Sequence, residues 1–384
     1  MRVLLHIGQS KTGTSAIQAF LTLNRETLAK NGILYPAINV SGMSLDLGAH
    51  NAVADALLGK SRFPHLSAEE YFEHFYAEAK KINATTLLLS GEHFFYGEPR
   101  IWDVANEDEY FSIYKKKLMK LSTFLVGHEL EILIYLRPQL DWLSSAVGQT
   151  VRINGLISDK VLYENDQKFF HMMKPLLRYA KLIEYWNEIL KPSDFKAIPY
   201  DRNTLYKNSS IADFLKRTGL DNIDFSHADE NIQVNESLTR EYIEVKKILN
   251  LTPKSKNSER VIIRCLEKLS ALSDQTKQYA LDPVTAKAVV EFSVSENQRL
   301  NELFGEENKL FKATSTKFKL DTKIPSPIEV NLAMEKFQLE YASWRAMVLR
   351  LNYSTRTFIR TKLPTLQAII HNIKMSYLKV KFRN

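Results

Sequence analysis

Across residues 1 to 220, short apolar runs alternate with longer stretches of helical period, and this alternation limits the fold more than any other feature of the chain. A strand buried on both faces reads as a short apolar run, and the crossover to the next parallel strand is usually a helix. The runs Val3 to Ile7, Thr86 to Leu89, Glu131 to Leu136 and Phe195 to Tyr200 fit, each followed by polar or helix-starting residues. After the first run, Ile17, Phe20, Leu21 and Leu28 share one helical face, and Asn31-Gly32 supplies a left-handed stop. Ser67 with Glu70 makes a capping box for a helix reaching Ile82, and Pro138 opens another at its first turn. The pattern predicts an α/β fold with a parallel sheet flanked by helices.

Beyond Leu220 the pattern is mostly helical, with breaks near Pro253 to Asn257 and at Asp282-Pro283. Ala313 to Pro327 is rich in Thr, Ser, Lys and Pro without an apolar period, and reads as a linker. The expected division is a body over 1–310 and, over 311–384, a linker with a basic amphipathic helical tail.

Charge follows the same division. The whole chain carries 52 Lys+Arg against 44 Asp+Glu; residues from Phe311 onward hold 14 against 4, leaving 38 against 40 in the body. From Tyr341 to Asn384 there are 9 Lys+Arg and no Asp or Glu, interleaved with Trp344, Tyr353, Phe358, Tyr377 and Phe382. Leu363, Ile369, Ile370, Ile373 and Leu378 give this tail an apolar face. A helical cover packed on the body, a surface for anionic lipid and a cradle for an acidic polymer all fit it. Nucleic acid would rest on charge alone and is not expected. The single cysteine, Cys265, allows no intrachain disulfide, and the start lacks the pattern of a signal peptide. No run approaches the roughly 20 apolar residues of a membrane span. The expected location is cytoplasmic, with peripheral membrane contact through the tail as a further option.

Between the first strand and its helix stands His6-Ile7-Gly8-Gln9-Ser10-Lys11-Thr12-Gly13-Thr14-Ser15. A loop that runs into a helix start presents backbone N–H groups and the positive end of the helix dipole, which suits phosphate or sulfate. Gly8 and Gly13 have the glycine spacing of an ATP-binding Walker loop, but Lys11 precedes Gly13 where that loop has its lysine after the second glycine. Farther on, the strand ending at Leu136 is followed by Arg137, and the next helix carries Ser144 and Ser145. Arginine offers phosphate a bidentate fork and serine a directed donor.

Lys11-Thr12-Gly13-Thr14-Ser15 after the first strand resembles the 5'-phosphosulfate loop of sulfotransferases that use 3'-phosphoadenosine 5'-phosphosulfate (PAPS). The arginine and the serine eight residues on, Arg137 and Ser145, resemble the pair with which those enzymes hold the donor's 3'-phosphate. Weaker likeness runs through Ile198-Pro199-Tyr200-Asp201, Phe214 to Leu220, Asn235-Glu236-Ser237 and Asn297 to Leu300, so residues 1 to 310 are covered. The resemblance implies a P-loop-type sheet, PAPS as donor, Lys11 at the oxygen leaving sulfur, and Thr12, Gly13, Thr14 and Ser15 around the 5'-phosphate. It is nearest to the bacterial and carbohydrate-acting branches, implying a hydroxyl on a saccharide or glycolipid as acceptor. Ala16 stands where many cytosolic members have a tryptophan on adenine, and their glycine-rich basic loop near the C-terminus is missing. The adenine-binding residues stay open.

Transfer to an alcohol needs a base near the acceptor oxygen. Ser90-Gly91-Glu92-His93 follows the strand Thr86 to Leu89, at the place where cytosolic members carry a catalytic histidine; the carbohydrate-acting branch uses a glutamate nearby. Glu92 is the first candidate, with His50, in Ala49-His50-Asn51, and His93 as the others; a structural role for Glu92 is the bland alternative. No metal-ligand spacing of Cys or His is present, and no metal is expected. Two rivals remain: a non-catalytic nucleotide-binding protein tethered by its tail to membrane or acidic polymer, and a nucleotide or sugar kinase, for which Tyr200-Asp201 is the sole weak metal-holding candidate.

Overall fold

The computed structural model describes residues 1–38, 48–59, 66–96, 104–153, 163–225, 238–251, 255–273, 280–305, 310–311 and 325–362, the last 18 of these and residue 256 as backbone alone. The linker expected over Ala313 to Pro327 lies largely outside the described residues, as do Asn235 to Ser237 and the tail beyond Lys362.

Five parallel strands form one sheet in the order β2-β3-β1-β4-β5, with β1 Arg2–His6, β2 Ile33–Leu34, β3 Thr86–Ser90, β4 Glu129–Leu136 and β5 Asp194–Pro199. Four coincide, within two residues, with the apolar runs read from the sequence. The fifth, β2, has two residues and carries no period to recognise. Because successive side chains point to opposite faces, the central strands feed two cores. Val3, Leu5 and Ile7 join Leu87, Leu89, Ile132, Ile134 and Leu136 on one face, while Leu4 joins Leu88, Leu133 and Tyr135 on the other.

Helices α1 (Thr14–Leu23) and α2 (Arg25–Lys30) lead from β1 to β2. Ile17, Phe20, Leu21 and Leu28 are all buried, as their spacing predicts, but the helix is interrupted at Asn24, whose amide donates to the Phe20 carbonyl at 2.9 Å. Helices α3 (Asn51–Ala56) and α4 (Ala68–Lys81) lead to β3, and the Ser67–Glu70 capping box closes in both directions. Helix α5 (Glu107–Leu125) crosses to β4; α6 (Gln139–Ile153), α7 (Asp166–Leu177) and α8 (Tyr179–Leu190) lead to β5, and α9 (Ser210–Thr218) follows it. Helices α1, α2 and α9 cover the face holding Leu4, and the others pack on the face holding Val3. The chain leaves β1 in one direction along the sheet and β3 in the other. That reversal puts the crevice at the carboxyl end of β1, where open α/β sheets bind ligands.

Beyond Leu220 every regular element among the described residues is helical: α10 (Arg240–Asn250), α11 (Lys256–Ala271), α12 (Pro283–Phe304) and α13 (Pro327–Lys362). Pro283 occupies the first turn of α12 and Asp282 caps it through Thr285 N at 2.9 Å. The first half of α13 is anchored: Ala333 and Phe337 are buried, Tyr341 and Trp344 pack on the same core, and Lys268 pairs with Glu340 at 2.8 Å.

Candidate functional site

The loop after β1 turns back on itself at the crevice. Lys11 has φ 70° and Gly13 φ 82°, so left-handed residues bracket Thr12. Such alternation turns successive N–H groups to one side, as in an anion nest. At Gly13 a side chain is also excluded sterically, since a Cβ would lie 2.7 Å from Ser210 Oγ and 3.4 Å from Tyr200 Oη. At Lys11 the left-handed backbone costs about 1 kcal/mol or more. Among the described residues, none of the backbone N–H groups of residues 10–15 has an intrachain acceptor, and α1 has no side-chain cap. Six donors at a helix start are left for a ligand or solvent. The Thr12 hydroxyl, in contrast, is spent on the Gln9 carbonyl at 2.6 Å.

Arg137 follows β4 directly, with its guanidinium carbon 5.5 Å from the centre of the Tyr200 ring. Tyr200 thus neighbours both the loop at Gly13 and Arg137, which brings the two stretches singled out in the sequence together at one aromatic ring. Neither Lys11 nor Arg137 makes an ion pair among the described residues. Burial lowers the Lys11 ammonium to about 8, helped by the positive charges of Arg152 and Arg137 and opposed by Glu92. Arg152, in the last turn of α6 and paired with Glu267 at 2.5 Å, is a third cation of this crevice that sequence reading missed. Ser145 lies on α6, partly buried and without a hydrogen bond among the described residues, whereas the neighbouring Ser144 accepts from Ala280 N at 2.7 Å.

Glu92 begins a short 3-10 turn after β3 and reaches the loop. Its carboxylate accepts from Thr14 Oγ1 at 2.6 Å and from Asn51 Nδ2 at 3.0 Å, with Gln18 Nε2 at 3.5 Å. Burial alone would raise its pKa; the hydrogen bonds of Thr14, its own backbone and Asn51, with the nearby His93, outweigh burial and hold it below the usual carboxylate value. Gln18, one turn beyond Thr14 on α1, also reaches Ser90 Oγ, which holds His6 Nδ1 at 2.8 Å.

The expectation that His50 could serve as base is corrected by its surroundings. It is fully buried, Nδ1 accepts from Ser90 N at 3.1 Å and Nε2 donates to the Pro36 carbonyl at 3.0 Å. Burial pushes its pKa down to about 4, and no lone pair is left for a substrate. His93 differs. Its Nδ1 is 2.7 Å from Oδ1 of the buried Asp55, its side chain is 22% exposed, and Nε2 has no partner among the described residues. Carboxylate contact at one ring nitrogen leaves the other as acceptor, the arrangement that orients a catalytic imidazole. Asp55 could not have been found from the sequence, because 38 residues separate it from His93.

Asp201, the candidate metal holder of the kinase reading, accepts from Asn203 N at 3.0 Å in an exposed turn. Among the described residues no three His, Cys, Asp or Glu side chains are grouped as a metal site requires. A groove between α7 and α12, lined by Phe170, Lys174, Asp282 and Phe292, contains none of the candidate site residues. No described helix is long and apolar enough to cross a membrane. No protein-family model matches the chain, and comparison with curated proteins and with solved structures gives no significant match.

Proposed function

We propose that this protein is a PAPS-dependent sulfotransferase built on a P-loop-type sheet, moving a sulfuryl group to a hydroxyl of a saccharide or glycolipid. One observation carries the reading: the six unpartnered amides of residues 10–15, the unpaired Lys11 and the unpaired Arg137 gather at the carboxyl ends of β1 and β4, where Tyr200 neighbours both Gly13 and Arg137. A nucleotide with anionic groups at both its 5' and 3' positions fits two separate cation-bearing sites better than a linear triphosphate does. The 5'-phosphosulfate lies on the amides of residues 10–15, and Arg137 with Ser145 takes the 3'-phosphate. The acceptor oxygen attacks sulfur as the bond from sulfur to the phosphate oxygen breaks. Lys11 offsets the charge that gathers on that leaving oxygen.

The acceptor proton goes to a base beside β3. Of the two side chains there, Glu92 is engaged by its donors and weakened as a base by its lowered pKa. His93 keeps Nε2 open and has Asp55 behind it. We assign His93 as the base and Glu92 as the residue that anchors Thr14. The test is an assay with purified protein, radiolabelled donor and saccharide acceptors. Transfer that disappears in Lys11→Ala supports the reading; tight binding of adenosine 3',5'-bisphosphate with no transfer to any acceptor would favour the non-catalytic rival.

A further inference from the structure

Gln9 connects the two sites. Its side chain is fully buried and joins four parts of the fold. The amide oxygen accepts from Arg137 N at 2.9 Å, and the amide nitrogen donates to Tyr179 Oη at 2.7 Å and to the hydroxyl of Tyr96. Because a backbone N–H can only donate, its bond from Arg137 fixes which end of the amide is oxygen. The main chain of Gln9 does the same work: its N–H donates to the Tyr135 carbonyl at 2.9 Å, and its carbonyl takes the Thr12 hydroxyl. Tyr96 packs against Trp142 on α6, with ring centres 5.1 Å apart, and the Trp142 indole donates to Ser10 Oγ at 3.2 Å. Loop, Arg137 and the helix carrying Ser145 therefore form one hydrogen-bonded unit around this side chain.

Fully buried, with its oxygen accepting from Arg137 N and both amide hydrogens engaged, Gln9 has no donor left and no exposed surface to offer a ligand. We infer that Gln9 is a positioning residue: it fixes the spacing between the loop amides and Arg137, and so sets the preference for a nucleotide phosphorylated at both 5' and 3' positions over one carrying the 5'-phosphate alone. The nucleotide part of this inference rests on the donor site proposed above; the strut itself does not.

Gln9→Met keeps length and volume but removes three hydrogen bonds. Gln9→Glu keeps an acceptor for Arg137 N and can accept from both tyrosines. Calorimetry with adenosine 3',5'-bisphosphate and with AMP gives the preference, and amide exchange at Arg137 in the free protein reports the strut. In Gln9→Met the preference should fall about tenfold or more, while AMP affinity shifts by less than about threefold. Arg137 exchange should rise by about the same factor, and Gln9→Glu should restore its protection. Equal loss for both nucleotides, or an unchanged preference, would make Gln9 simple core filling. If the wild type does not distinguish the nucleotides, the donor site is wrong, and the strut is then decided by Arg137 exchange: unchanged exchange in Gln9→Met overturns it.

Discussion

The Thr14 hydroxyl donates to Glu92 Oε1 at 2.6 Å, tying the first turn of the helix after β1 to the turn after β3. This bond gives Glu92 a structural task separate from proton transfer. Glu92→Gln should therefore slow turnover modestly, within about tenfold, and by the same factor for every acceptor. His93→Gln should lower turnover by about 100-fold or more for an alcohol and far less for an acidic phenol that is already ionised. An acceptor series of graded pKa checks both variants. Acceptor-dependent loss in Glu92→Gln, with uniform loss in His93→Gln, would exchange the two roles.

Lys11 supplies a pH signature. Its free ammonium titrates at about 8 because burial and two arginines disfavour the charge. A bound anion favours the charged form, so the pKa rises on binding. Affinity should hold below pH 8 and fall above it, by up to about tenfold per unit until the bound pKa is passed. Lys11→Arg stays charged and should give a flat profile between pH 7 and about 9. A wild-type profile that is equally flat would remove Lys11 from the anion site.

Two buried histidines predict sensitivity to acid. Burial pushes His6 and His50 down to about 4 from 6.5, so the unfolded chain binds up to two more protons between those values. Stability is thus present above pH 6.5 and lost as pH falls towards 4, at up to about 2 to 3 kcal/mol per unit. Urea unfolding across this range measures the slope, and His50→Gln should roughly halve it. Constant stability from pH 6.5 to 5 would contradict the buried neutral assignment.

Phe337 and its neighbours fill a core between α10, α11 and α13, while Ile328, Leu332 and Leu339 are exposed on the same helix. Residues 345–384 hold 9 Lys+Arg and no acid. Removing 345–384, which spares Phe337 and the core around it, should reduce binding to phosphatidylserine vesicles, since each basic residue near such a surface contributes about 1 kcal/mol. Removing everything after Phe311 should lower the melting temperature, because it uncovers that core. Undiminished vesicle binding without 345–384 would dismiss the membrane reading.

What could be read from the sequence was what short range determines. Val3 to Ile7 and Thr86 to Leu89 announce themselves as strands, and the Ser67–Glu70 box closes over three residues. The positions of Lys11 to Ser15 after β1 and of Arg137 after β4 were legible because each follows the end of a recognisable strand. Their shared ring, Tyr200, was not, since the sheet order that unites them is a tertiary outcome. Gln9 was invisible for the same reason: its partners lie 87, 128 and 170 residues away. His50 misled because a histidine beside a cleft and a histidine inside a core look alike until both ring nitrogens are located.

The central claim is that one crevice holds two anionic groups of one nucleotide, and isothermal calorimetry of the full chain with adenosine 3',5'-bisphosphate, AMP and ATP tests it most directly. The account predicts that the bisphosphate binds tightest and that Arg137→Ala weakens it by roughly 2 to 4 kcal/mol while hardly changing AMP. Preferred binding of ATP, or equal loss of bisphosphate and AMP in Arg137→Ala, would contradict it.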